Sequence, residues 1–238
     1  MKAIVLTYDR NATITEHMIK CYEDIWPNNP FTFRIPFQDK ARCIYKKNRE
    51  YIKTSPAIKD TVLELLNDLH DDEWIYWCID DKYPIKLHLP EIDSIYKSLH
   101  TVAGSKVSGI LFCRARNMFN PDCLLDQYLY LANEQLIERR SYHQIWIHQF
   151  LKVKVIKHLF NNFPFIETAR EMDPLKFMIR KPSGHRLFVT AANHAVFGES
   201  STDRILTANC HQSMQDKEII VPPFLDVDKN KSIMIGTL

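Results

Sequence analysis

Glycine is scarce in this chain. Five glycines occur in 238 residues, where average usage of about 7% would give about seventeen. The two common phosphate-binding loops, G-x-G-x-x-G and G-x-x-x-x-G-K-[ST], need clustered glycines so that backbone N–H groups can approach phosphate closely. Gly104, Gly109, Gly184, Gly198 and Gly236 form neither pattern, so a nucleotide bound here must be held by other means. The six cysteines, Cys21, Cys43, Cys78, Cys113, Cys123 and Cys210, include no C-x-x-C pair, which argues against structural zinc and a disulfide framework. No G-x-S-x-G elbow and no recognisable cysteine nucleophile motif occur, which disfavours serine and cysteine hydrolases. Net charge is only +2, so no nucleic-acid partner is expected, and the clusters Lys46-Lys47-Arg49 and Arg139-Arg140 read as solvated faces. No apolar run approaches the length of a membrane span, and the run Ala3 to Leu6 is too short for a signal-peptide core. The expected location is the cytoplasm, with peripheral attachment to a membrane left open.

What is present suits a soluble α/β domain: 45% hydrophobic and 25% charged residues, enough chain for one domain of two lobes. Ala3 to Leu6 reads as a buried strand. Thr13 and Glu16 have capping-box spacing ahead of Ile14, Met18, Cys21, Tyr22 and Ile25, which recur at helical intervals. Phe31, Phe33, Ile35 and Phe37 alternate as a strand with Pro36 near its end. Ser55-Pro56 reads as the start of a second helix. Trp74 to Ile79 is an apolar run too short for a typical helix and too continuous for a half-exposed strand, hence a central strand covered on both faces. A helix over Glu91 to Leu99 and a strand over Val107 to Cys113 follow. The alternation predicts a mainly parallel sheet flanked by helices. From Pro121 to about Asn161 the expectation is mostly helix, then short strands and turns.

Ligands of an open parallel sheet bind beyond the carboxyl ends of its strands. Asp9 follows the first strand, and Asp80-Asp81 follow the third. Two adjacent carboxylates directly after an apolar strand either bind a cation such as Mg²⁺ or Mn²⁺, which would also bridge diphosphate oxygens, or accept backbone hydrogen bonds as caps of the next turn.

Trp74-Ile-Tyr-Trp-Cys-Ile-Asp80-Asp81, behind a βαβα start with Thr7-Tyr8-Asp9-Arg10 at the first strand end, resembles the nucleotide-sugar half of a GT-A-fold glycosyltransferase. The resemblance implies a nucleotide-sugar donor, a glycan or other hydroxyl acceptor and a role of the kind found in polysaccharide biosynthesis. Residues 1 to about 115 would form the donor half, and about 116–238 the acceptor half. Thr7, Tyr8, Asp9 and Arg10 would line the nucleoside site, while Asp81, with Asp80, would meet the metal and diphosphate. Either register of the family's D-x-D lacks one carboxylate here, which makes Lys82 a further candidate for pairing with diphosphate. Tyr142-His-Gln144-Ile-Trp146 resembles the Q-x-x-W helix start on the acceptor side of capsule and lipopolysaccharide glycosyltransferases, with a helix running through Phe150, Leu151 and Ile156. By the same likeness Gln144 and Trp146 would bind acceptor sugar, and Glu167 of Pro164-Phe-Ile-Glu167 would be the general base. A late histidine, His194 or His211, would complete the metal site, and Gly198 would lend flexibility to a loop over it. A lone histidine also serves as a satisfied structural residue, a tryptophan in an amphipathic helix as core, and Glu167 as a surface carboxylate. Two alternatives stand beside this reading. One is a nucleotidyltransferase on a similar sheet, which normally carries a glycine-rich first loop. The other is a carbohydrate-binding protein without catalysis.

Overall fold

The computed structural model describes residues 1–39, 47–115, 120–164, 168–202 and 205–236. The first half lays down β1 (Lys2–Leu6), α1 (Ala12–Ile25), β2 (Thr32–Phe37), β3 (Arg49–Lys53), α2 (Ile58–Leu65), β4 (Trp74–Ile79), β5 (Lys82–Leu87), α3 (Leu89–Ser98) and β6 (Val107–Leu111). The second half adds β7 (Leu124–Leu131), β8 (Glu134–Arg139), β9 (Gln149–Lys152), α4 (Val153–Asn162), α5 (Ala169–Leu175), β10 (Arg186–Thr190) and β11 (Ala195–Glu199). Short strands β12 (Ser201–Thr202) and β13 (Ile205–Thr207), helix α6 (Ala208–Asp216), β14 (Val227–Asp228) and β15 (Met234–Ile235) end the described chain.

Nine strands form one sheet in the order β3-β2-β1-β4-β9-β6-β10-β8-β7. The block β3-β2-β1-β4 is parallel throughout. Antiparallel β9 lies between β4 and β6, and β6 and β10 pair in parallel beyond it. The α/β class follows from period-two burial on both faces of the central strands. Ala3 and Val5 of β1, with Tyr76 and Cys78 of β4, pack into a core with α1, α3 and α6. Ile4 and Leu6, with Ile75, Trp77 and Ile79, face the opposite way onto α2 and α4. A strand covered on both sides must be apolar at every position, and this makes Trp74 to Ile79 readable from sequence. A separate three-stranded ribbon, β15-β11-β5, extends from the point where β4 ends.

The second half departs from expectation. Pro121 to Asn161 is not mostly helix: β7 and β8 form a hairpin, β9 enters the sheet, and α4 begins only at Val153. Ala132 and Asn133 make the two-residue hairpin turn with φ of 53° and 65°, left-handed values usually supplied by glycine. Tyr142 to Trp146 is a turn leading into β9 rather than the start of a helix, because Gln144 has φ of 56° and a helix requires a negative value. Several local expectations also change. Helix α1 starts at Ala12 with Asn11 as a cap residue that makes no capping bond, and Glu16 instead meets Arg49 at 2.6 Å. Ser55 lies before α2 and donates to Glu64 through its N–H and its hydroxyl, while Ala57 occupies the cap position. Arg49 and Arg139 are not on solvated faces. The Arg49 guanidinium is enclosed between Glu16 and Glu23. Arg139 is fully buried and donates to the His143 carbonyl at 2.8 Å and to Gln149 Oε1 at 2.6 Å.

Candidate active site

The carboxyl ends of β1 and β4 lie side by side, with Leu6 opposite Ile79, and the residues that follow them meet directly. Asp80 is buried on the α1 side of the sheet. Thr7 Oγ1 donates to Asp80 Oδ2 at 2.7 Å, and Asn11 Nδ2 donates to the same oxygen at 2.9 Å. Thr15, one turn into α1, steadies Thr7 through a 2.7 Å hydroxyl contact. Beneath this group, His148 is wholly buried and bridges the Tyr22 hydroxyl at 2.6 Å and the Ile79 carbonyl at 2.8 Å. It therefore fixes the peptide that carries Asp80. Burial lowers the His148 pKa to about 3, so the ring is neutral at physiological pH.

Burial, and next the adjacent Asp81 charge, push the Asp80 pKa up to about 7, while the bonds from Thr7 and Asn11 pull it down. Asp81 is one-third exposed, yet its Oδ1 is shielded from solvent without a hydrogen-bond partner. Its other oxygen meets Lys82 Nζ at 2.8 Å, and that ammonium also lies 3.4 Å from Glu199 on β11. Asp81 and Glu199 thus share one ammonium, with Asp80 adjacent to them in the chain. A shielded, unpaired carboxylate oxygen beside a carboxyl whose ionisation is suppressed fits a divalent cation, which would favour both charged forms.

The first strand end supplies a different surface. Tyr8 is 46% exposed at the carboxyl edge. Asp9 accepts the N–H groups of Gln38 and Asp39 at 3.2 and 2.8 Å, closing the loop after β2 against the end of β1. The Arg10 guanidinium lies 5.2 Å above the ring of Phe224, itself half exposed. Thr7, Asp80, Asp81 and Lys82 therefore form one contiguous cluster, with Tyr8, Asp9 and Arg10 following the end of β1 beside it.

Other expected site residues lie elsewhere. Trp146 packs into the α2/α4 core, edge-on to Phe160 with ring centroids 6.3 Å apart, on the sheet face opposite the Asp80 side chain. Gln144 occupies the adjoining turn, where its carbonyl accepts Gln149 Nε2 at 2.9 Å. Gly198 is a strand residue of β11 opposite Tyr83, not part of a closing loop. His194 precedes β11 and sits near His88, whereas Asp81 adjoins the other end of the β5–β11 ribbon, where Lys82 pairs with Glu199. The ribbon separates His194 from Asp80-Asp81. Glu167 lies outside the described residues. Asn11, Thr15, His148 and Glu199 contact this cluster or hold its backbone and were not singled out in the sequence. Their only signal was polar character, and Asn11 lies two residues ahead of the Thr13-Glu16 pair that carried the capping-box spacing.

No protein-family model matches the chain, and no curated protein matches it. Solved structures similar to it include an active-site mutant of LgtC, at 11% identity and a TM-score of 0.40 over 76% of this chain and 66% of the other. Galactosyltransferase LgtC in complex with donor and acceptor sugar analogues gives 11% identity and a TM-score of 0.40 over 94% of this chain and 84% of the other. Apo UDP-glucose pyrophosphorylase gives 9% identity and a TM-score of 0.47 over 83% of this chain and 92% of the other. These scores describe a partial likeness in chain path and say nothing of chemistry.

Proposed function

We propose that this chain is a glycosyltransferase that moves a sugar from a nucleotide-sugar donor to a hydroxyl acceptor. The observation that carries the reading is the joined end of β1 and β4, where Thr7 and Asn11 hold Asp80, and Asp81 keeps a shielded oxygen unpaired beside it. In this reading Asp80 and Asp81 are the residues that would hold Mg²⁺ or Mn²⁺. The ion would supply positive charge against the departing diphosphate. Lys82, already poised between Asp81 and Glu199, adds a second positive charge on the same side. Tyr8 offers an exposed ring for a nucleobase, and Arg10 and Asp9 border the ribose. His148 and Thr15 act as positioning residues for the acidic pair. Glu167 is assigned the general-base role by its likeness to the acceptor-side segment of such enzymes, and His194 is not part of the donor site.

The test is a thermal-shift panel of UDP, GDP, CMP and ADP, each with and without Mn²⁺. One of these nucleotides raises Tm, and Asp81→Ala abolishes the shift. No response from any of the four overturns the proposal. Release of pyrophosphate from a nucleoside triphosphate would instead identify a nucleotidyltransferase, and glycan binding that survives Asp81→Ala without donor turnover would identify a non-catalytic binding protein. With the donor known, Glu167→Gln lowers kcat by roughly 10²–10⁴-fold at unchanged donor affinity.

A further inference from the structure

His88, Glu91 and His194 bring three ligand atoms within 4.8 Å of one another, at the end of the β5–β11 ribbon remote from Asp81. Several features make the cluster a preformed site. His194 is 5% exposed, and its Nε2 lies 3.1 Å from Glu134 Oε1 at the hairpin turn between β7 and β8. Neither ring nitrogen of His194 completes a hydrogen bond of good geometry. A buried imidazole left in that condition costs free energy unless something else occupies its lone pair. The backbone is already locked. His194 donates its N–H to the Phe112 carbonyl at 2.9 Å, and its own carbonyl accepts the His88 N–H at 2.9 Å. His88 and Glu91 sit at the cap and third position of α3, a spacing that places both on one side of the first turn. The two imidazole rings are 6.2 Å apart and tilted by 49°.

We infer that His88, Glu91 and His194 bind Zn²⁺ at a site separate from the proposed donor site, with Glu134 held against the His194 ring. Two imidazoles and one carboxylate are the nitrogen and oxygen ligands zinc takes in four-coordinate sites that keep one position open, whereas Mg²⁺ and Ca²⁺ prefer all-oxygen shells. Bond lengths of about 2.0–2.2 Å require the ligand atoms to draw closer by roughly 1 Å. The partly exposed His88 and Glu91 side chains can provide that movement. A bound ion would staple two segments that are distant in sequence: the β5–α3 junction and the link from β10 to β11.

The test uses the full chain, stripped with EDTA and returned to chelator-free buffer, then titrated with Zn²⁺ by calorimetry and with Co²⁺ by visible absorption. The expected result is one equivalent of Zn²⁺, a four-coordinate Co²⁺ spectrum and a higher Tm. His88→Ala and Glu91→Gln, both at partly exposed side chains, each weaken Zn²⁺ binding at least tenfold. Asp81→Asn leaves it unchanged. Absence of stoichiometric binding in the wild type overturns the inference. So does binding that survives both His88→Ala and Glu91→Gln, or binding lost on Asp81→Asn, which would place the ion at the acidic pair.

Discussion

Asp80 is poised so that stability and the proposed chemistry pull in opposite directions, and Asp80→Asn measures the conflict. Its carboxyl is buried and its pKa is pushed from 3.8 up to about 7, so the folded state prefers the protonated acid. The sign follows from linkage: the stabilising preference is fully present below the unfolded value of 3.8 and is lost as pH rises through about 7, above which the ionised form stays buried at constant cost. The interval corresponds to about 4 kcal/mol at full ionisation. The amide oxygen introduced by Asp80→Asn can keep the bonds from Thr7 and Asn11, whose donors both point at one carboxylate oxygen, and it does not titrate. The variant therefore gains on wild type as pH rises. From pH 5 to pH 8 the difference widens by about 2–3 kcal/mol, or roughly 5–10 °C in Tm for a chain of this size. Differential scanning fluorimetry of both proteins across that range reads the gap directly. Saturating Mn²⁺ narrows it at pH 8 by stabilising only the wild type. A gap that stays constant with pH refutes the reasoning, since the buried carboxyl would then not be the group that titrates.

The wild type should also lose stability on the acid side for a separate reason. His148 and His17 are fully buried, and burial lowers their pKa values to about 3 and about 4. Groups depressed in this way destabilise the fold as pH falls below their unfolded value of 6.5, by about 2 kcal/mol each between pH 6.5 and pH 5. His148→Gln should flatten that limb of a urea-denaturation pH series, and an unchanged slope would count against a neutral buried ring. Lys82→Met removes the ammonium between Asp81 and Glu199 and should weaken nucleoside diphosphate binding by about tenfold, close to 1.4 kcal/mol, in calorimetry. Equal affinity would separate Lys82 from the donor site. Gly198→Ala drives a Cβ into the Tyr83 ring, while Gly104→Ala meets nothing within 4 Å. The first should cost about 1–3 kcal/mol by overpacking, and equal Tm values for the two variants would contradict the packing at β11.

The architecture of the first half was legible because its pattern is local. A strand buried on both faces must be apolar throughout, so Trp74 to Ile79 and the acids after it stand out, and helices α1 to α3 carry apolar stripes that single segments reveal. The second half was less legible, because its pattern depends on distant partners. The β7–β8 hairpin turns on Ala132-Asn133, with no glycine to mark it, and β7 exposes Tyr128 and Tyr130 to solvent, which masks strand alternation. Tyr142 and Ile145 are both buried at helical spacing, yet the left-handed Gln144 between them makes the segment a turn. Arg49 and Arg139 look like solvent residues until the chain brings Glu16, Glu23 and Gln149 around them. Asn11 shows the same limit at the site itself. Capping-box spacing points to Thr13 and Glu16, while the Asn11 amide reaches Asp80, 69 residues away in sequence.

Glycine scarcity connects these levels. Gly109 and Gly198 lie within strands, where a Cβ would meet Leu151 and Leu187 in one case and Tyr83 in the other. Gly236 adopts φ of 87° against the Ala195 carbonyl. These three serve close packing or a left-handed turn of the backbone, and Gly104 and Gly184 have open space around them. None adjoins the carboxyl ends of β1 or β4. Without a glycine-rich loop to present backbone N–H groups, the charge of a diphosphate at that edge would have to be met by side chains and by an ion they bind. That edge carries Lys82 as its ammonium, Asp80 and Asp81 as its acids, and a neutral His148 beneath that holds the peptide in place. A buried acid that resists ionisation until a cation arrives costs the free protein stability, and that cost is what the pH dependence of Asp80→Asn would measure.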